Sequence, residues 1–196
     1  VGSEMCIRDR KSIIDSESVG VFFFLASLAS VLLLVVTYGV NVFLAPHAIN
    51  AFRNNSYGAY GEIKKTFMWQ TLIFALVAIL VAIMLFDPLL SFVGKDDYID
   101  NKNIFYVMLA SNFMLLFSEF TNLDMYVRNM DREMMYASIG GLSLAIINSV
   151  VFVSFMGVLG AAVAAFFSVL CLWAFRNYFY RRGLKLDPSL IMSVRG

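Results

Sequence analysis

Charge is what this sequence has least of. Only 15% of its 196 residues are Asp, Glu, Lys or Arg, where an ordinary soluble domain carries about a quarter. Hydrophobic residues make up 60% of the chain. The mean hydropathy of +0.77 implies more apolar surface than a 22.0 kDa globule can hide. A water-soluble globule is excluded, and an all-α integral membrane protein is expected. The formal net charge of +1 supplies no field that would draw nucleic acid or an acidic partner. The chain has two cysteines and one histidine. Cys6 and Cys171 form no CxxC or Cys/His spacing, so neither a disulfide framework nor a zinc site is expected. His47 has no partner for metal or catalytic work. Gly-rich phosphate loops, nucleophile–base pairs and DxD-type metal motifs are all missing, and Asp96-Asp97 reads as a solvated loop pair. The sequence thus predicts no catalytic residue, no metal and no cofactor.

What the chain has instead is long apolar runs, and about 20 apolar residues suffice for a membrane helix. Five spans are predicted: about 19–45, 66–92, 104–122, 134–155 and 158–178. The uncharged run from Met134 to Phe175 is too long for one helix, and "FMGVLG" divides it, with Gly157 allowing a tight turn. The connections are Pro46–Lys65, Asp87–Asn103 and Asp124–Glu133. Tyr38, Pro46 and His47 are expected where the first span leaves the membrane, and Asp124 is expected in the interface.

The N-terminal "VGSEMCIRDR" resembles translated sequencing-adapter read-through, so residues 1–10 are expected to carry no biology. Residues 11–182 then form the transmembrane part and 183–196 a tail that is expected to be cut short. Ten of the fifteen basic residues fall on one side: Arg53, Lys64, Lys65, Arg128, Arg132, Arg176, Arg181, Arg182, Lys185 and Arg195. The positive-inside rule makes that side, and the C-terminus, cytoplasmic. Five spans entered from outside without a signal sequence suggest a fragment.

Two spans carry unusual residues. The fifth places small residues at Gly157, Gly160, Ala161, Ala162, Ala164 and Ala165. Hydrophobicity does not drive helices together in lipid, but close packing of small residues does. Gly160, Ala164 and Ser168, four apart, form a ridge that Ser138, Gly141 and Ala145 of the fourth span match. The third span gathers Ser111, Asn112, Ser118, Glu119 and Asn122 within roughly a third of the helix circumference. Ionisable groups in membrane helices face a bundle interior or a water-filled cavity. Glu119 therefore either lines a transport cavity or snorkels to water from the helix end. Asn41 of the first span is a second cavity candidate or a hydrogen bond to a neighbouring helix.

Several phrases together resemble a known family. "NVFLAPHAINAFRNNSYGAYGEIKKTF" is similar to a helix end and cytoplasmic connection of bacterial polysaccharide-biosynthesis membrane proteins. "DPLLSFVGKDDYIDNKNIFYVMLA" looks like their extracytoplasmic link. "FMGVLGAAVAAFFSVLCLWAFRNYFYRRGLKL" resembles their late hairpin and its aromatic, basic end. The likeness covers most of residues 18–188. The family is the O-antigen and lipid-linked oligosaccharide flippases of the multidrug/oligosaccharidyl-lipid/polysaccharide exporter superfamily, with 12–14 helices in two lobes. The resemblance implies a piece of the C-terminal lobe, matching the eighth to twelfth helices, with the N-terminal lobe missing. It implies translocation of an undecaprenyl-pyrophosphate-linked sugar across the bacterial inner membrane by alternating access, without covalent chemistry. Implied partners are membrane lipid, the lipid-linked oligosaccharide, the rest of the same chain, a polysaccharide polymerase and glycosyltransferases, and no nucleic acid. Basic residues suited to a pyrophosphate are not expected in the five spans. A multidrug cation antiporter of the same superfamily, a lipid II flippase and a non-transporting membrane scaffold remain alternatives.

Overall fold

The computed structural model describes residues 16–54, 56–93 and 101–186, and among these every long element is a helix. Helix α1 spans Ser16–Val36 and runs through a π-helical turn, Thr37–Asn41, into α2, Val42–Arg53. Helix α3 spans Tyr57–Val93, α4 Lys102–Val127 and α5 Asp131–Leu186. Four of them contain stretches long and apolar enough to cross a membrane: Val19–Gly39, Gly58–Ser91, Lys102–Val127 and Asp131–Lys185. The last of these is two helices, because Gly157 leaves helical geometry at φ 60°, ψ −133°. Residues 131–156 (α5a) and 158–186 (α5b) form an antiparallel hairpin around it. Residues 1–10, expected to carry no biology, and Asp96-Asp97, expected to be a solvated loop pair, lie outside the described residues, as does the tail beyond 186.

The hairpin's register can be followed outward from the turn. A Cβ on Gly160 would lie 2.0 Å from the carbonyl oxygen of Phe152, so only glycine lets the two backbones meet there. Phe152 and Phe167 stack with centroids 5.2 Å apart. Further out, Gly141 lies against Leu172 and Gly183 against Met130 and Glu133. The small-residue ridges therefore face each other, but they do not close along their whole length. Ser138, Gly141, Ala145 and Ser168 line an open groove of about 280 Å³ between α5a and α5b. Ser168 donates to the Ala164 carbonyl at 2.6 Å and accepts from Asn148 at 3.5 Å. Ala162 and Ala164 are fully buried, and Ala162 joins the main core with Val21, Leu25, Ala29, Phe86, Leu90, Ile104, Phe105 and Leu109.

Helix α4 is the hub and touches each of the other helices. It is also the least apolar of the four spans, with mean hydropathy 1.5, and the most buried at 39%. The span in α3 is the reverse: hydropathy 2.7 and 11% buried. Its outward face includes Met84, Leu80 and Leu85, at 76%, 61% and 57% exposure. Polar inside and apolar outside is the arrangement that lipid, not water, stabilises as solvent.

The helices outrun the predicted spans. Pro46 and His47 lie inside α2, which continues to Arg53. The predicted connection 46–65 thus shrinks to a few residues before α3 begins at Tyr57. The π-helical turn supplies the reason: the Val42 N–H reaches back to the Thr37 carbonyl, five residues away, and resets the backbone before proline. Likewise α3 passes Asp87-Pro88 without a break. The turn from α4 to α5a is a Schellman motif. Asn129 adopts φ 55°, its N–H reaches the Tyr126 carbonyl, and the Met130 N–H reaches Met125.

Candidate functional site

Two polar layers cross the bundle near the end where the basic residues gather. Glu119 and Arg176 make the first. Arg176 is the first charge of α5b, and its Nη1 donates to Glu119 Oε1 at 2.8 Å and to Ser118 Oγ at 2.9 Å. Asn122 Nδ2 donates to the other oxygen, Glu119 Oε2, at 3.1 Å. Ser118 is fully buried, and the side chains of Arg176 and Glu119 are 11% and 33% exposed. The pair lies between α4 and α5b, and Glu119 and Asn122 line a cavity of about 210 Å³ with Ala45, Phe67 and Tyr126.

The structure thus brings together three of the five stripe residues, Ser118, Glu119 and Asn122. Ser111 and Asn112 are buried on the same helix, nearer its other end. Asn112 Nδ2 and Thr71 Oγ1 of α3 are buried without a hydrogen-bond partner among the described residues. Leaving such a group unpaired costs about 1–3 kcal/mol. The side chain of Asn41 lies outside the described residues. The Glu119 carboxylate is held by a partner on another helix, Arg176 of α5b. Arg176, near the basic end of the predicted fifth span, turns its guanidinium inward to Ser118 and Glu119.

The second layer centres on Asp124, expected in the connection after the third span but found within α4, because that helix continues to Val127; it is 3% exposed. Four donors converge on its carboxylate. Tyr60 and Arg128 Nε reach Oδ1 at 2.5 and 3.2 Å. Lys64 and Tyr180 reach Oδ2 at 2.7 and 2.6 Å. Tyr60 and Lys64 are one turn apart on α3, Arg128 is one turn beyond Asp124, and Tyr180 comes from α5b. The Arg128 guanidinium also lies over the rings of Phe52 and Tyr180, 5.5 and 6.0 Å from their centroids, a desolvated cation–π arrangement. Asp124 thereby ties α3, α4 and α5b together, and Arg128 extends the tie to α2. The Asp124 carboxylate faces two cations, Arg128 buried and Lys64 half exposed.

Sequence reasoning missed this cluster because its members are spread over more than a hundred residues. The usable signals were Tyr60/Lys64 and Asp124/Arg128, each spaced four apart at helix ends. Among the described residues no group of His, Cys, Asp and Glu is arranged to hold a metal. No protein-family model, curated protein or solved structure matches this chain.

Proposed function

We propose that the chain is part of a membrane transporter that moves a lipid-linked oligosaccharide across the bacterial cytoplasmic membrane by alternating access. The observation that carries this reading is the Glu119–Arg176 pair beside the cavity that Glu119 and Asn122 line. An ion pair between two apolar helices is expensive, and such pairs mark transport pathways. Its members come from different helices, so a shift of α5b against α4 would break it and free a cation and a carboxylate for passing polar cargo. The sugar hydroxyls would meet Asn122, Ser118 and the unpartnered Asn112 amide, and a phosphate would meet Arg176 as the pair opens. The lobe that completes the cavity would come from further sequence of the same protein, with polymerase and glycosyltransferases as neighbours in the pathway. The basic end, with the C-terminus, would face the cytoplasm.

A multidrug antiporter of the same architecture is the second reading, in which the Glu119 carboxylate freed from Arg176 would take the coupling cation.

The test is export in cells that carry the complete reading frame. Glu119→Gln and Arg176→Gln are each expected to lower surface glycan at least tenfold, with membrane abundance unchanged, while the lipid-linked precursor accumulates inside. The exchanged pair, Glu119→Arg with Arg176→Glu, should recover part of the loss. Normal export in both single variants would remove the pair from the mechanism.

A further inference from the structure

Helix α5b has two faces at its basic end, and they do different things. Arg176, Phe179, Tyr180 and Gly183 turn inward, to Glu119, Tyr136, Asp124 and Met130 respectively. Trp173, Ala174, Asn177, Tyr178, Arg181, Arg182 and Lys185 form the opposite face and line a groove of about 530 Å³. Their spacing follows two adjacent i, i+4 ridges, one through Trp173, Asn177, Arg181 and Lys185, the other through Ala174, Tyr178 and Arg182. Asn177 donates to the Trp173 carbonyl at 2.9 Å.

Three cations sit in that groove with no ion pair among the described residues. The bundle's buried acids, Glu119 and Asp124, are spent on the inward face, and Glu133 packs at Gly183 on that same inward side. Towards the apolar part of the helix the ridge through Ala174 continues as Leu170 and Phe166. The face therefore runs from apolar residues through Trp173 and Tyr178 to a cluster of cations. Trp and Tyr belong at headgroup level, and basic clusters just beyond a span attract anionic lipid.

We propose that this outer face of α5b is a binding site for an anionic glycerophospholipid. Its phosphate sits among Arg181, Arg182 and Lys185, its glycerol region lies against Trp173 and Tyr178, and its acyl chains run along Leu170 and Phe166. The site is separate from the Glu119–Arg176 cavity and rests on the reading of α5b as a membrane span, not on the transport of any substrate.

Trp173 is its own reporter. The chain has two tryptophans, so Trp69→Phe leaves Trp173 as the sole one. That chain would be reconstituted in phosphatidylcholine vesicles containing equal mole fractions of acyl-brominated phosphatidylglycerol or acyl-brominated phosphatidylcholine. Stronger quenching of Trp173 by the anionic lipid is expected, with the preference reduced by 0.5 M salt. Neutralising Arg181, Arg182 and Lys185 to Gln should each lower it by up to about fivefold. Equal quenching by the two lipids would overturn the site while leaving the span intact. Quenching by neither would overturn both the site and the lipid-facing placement of α5b. The contrast between lipids needs no variant at the basic residues, so it decides the matter even if those variants fold poorly.

Discussion

Tyr180 and Tyr60, from helices α5b and α3, donate to opposite oxygens of the Asp124 carboxylate, at 2.6 and 2.5 Å. A single buried anion thus holds two helices that share no direct sequence neighbourhood.

Removing that anion should be severe. Asp124→Ala removes one partner of the buried Asp124–Arg128 ion pair, and breaking such a pair typically costs about 3–5 kcal/mol. Tyr180→Phe removes one of four donors to a charge and should cost about 1.5–3 kcal/mol. Denaturation of the purified chain in detergent measures both. Because the groups act on one carboxylate, the double variant should cost clearly less than the sum of the two singles. Strict additivity would mean that Tyr180 and Asp124 do not interact.

The Glu119–Arg176 pair should matter less for stability than for transport. Glu119 is a third exposed, so solvent screens the pair. Either single glutamine variant is expected to lose about 1–2 kcal/mol in the same assay. A loss as large as that of Asp124→Ala would make the pair primarily structural.

Glycines at two neighbouring positions should fail for different reasons. Gly160→Ala drives a Cβ into the Phe152 backbone, and a backbone atom cannot step aside, so about 3 kcal/mol or more is expected. At Gly157 the space is open but φ is 60°, so Gly157→Ala should cost about 1–3 kcal/mol through conformational strain alone. Gly61→Ala is the control: nothing lies within 4 Å and the residue is helical, so a gain of about 0.5–1 kcal/mol is expected. Thermal unfolding of the three variants orders them.

Lipid exposure can be mapped chemically. In a chain whose Cys6 and Cys171 are replaced by serine, cysteine at Met84 should resist a water-soluble maleimide in vesicles. Cysteine at Lys65 should react. Cysteine at Phe155, on the hairpin tip, should react from the face opposite Lys65. Rapid labelling of Met84→Cys would show that α3 faces water.

Apolar runs made most of the helices legible, because one span's length and composition are local properties. The division at Gly157 was legible for the same reason. The ends of the helices were not: Pro46 and Pro88 look like stops, yet a π-helical turn and a long α3 carry the chain through them. The polar stripe on α4 pointed inward correctly at Ser111, Asn112 and Ser118, since periodicity alone fixes a face. The inward partners of Arg176 and Asp124 were not legible because a charge near the end of an apolar run has two fates. It can reach water, or it can meet a partner brought by another helix, and only tertiary structure tells them apart.

The tight approach at Gly160 has a consequence for how the chain assembles. Its neighbour Phe152 is only eight positions away in sequence, whereas the bonds that bring α3 and α5b to Asp124, from Tyr60, Lys64 and Tyr180, span 56 to 64 residues. Contacts of low sequence separation form early, since they close small loops. The α5a–α5b hairpin should therefore enter the bilayer as a preformed pair, with closure around Asp124 the late step that joins it to the rest. A stalled or shortened chain that ends before Tyr180 would insert its helices with Asp124 tied to α3 but not to α5b.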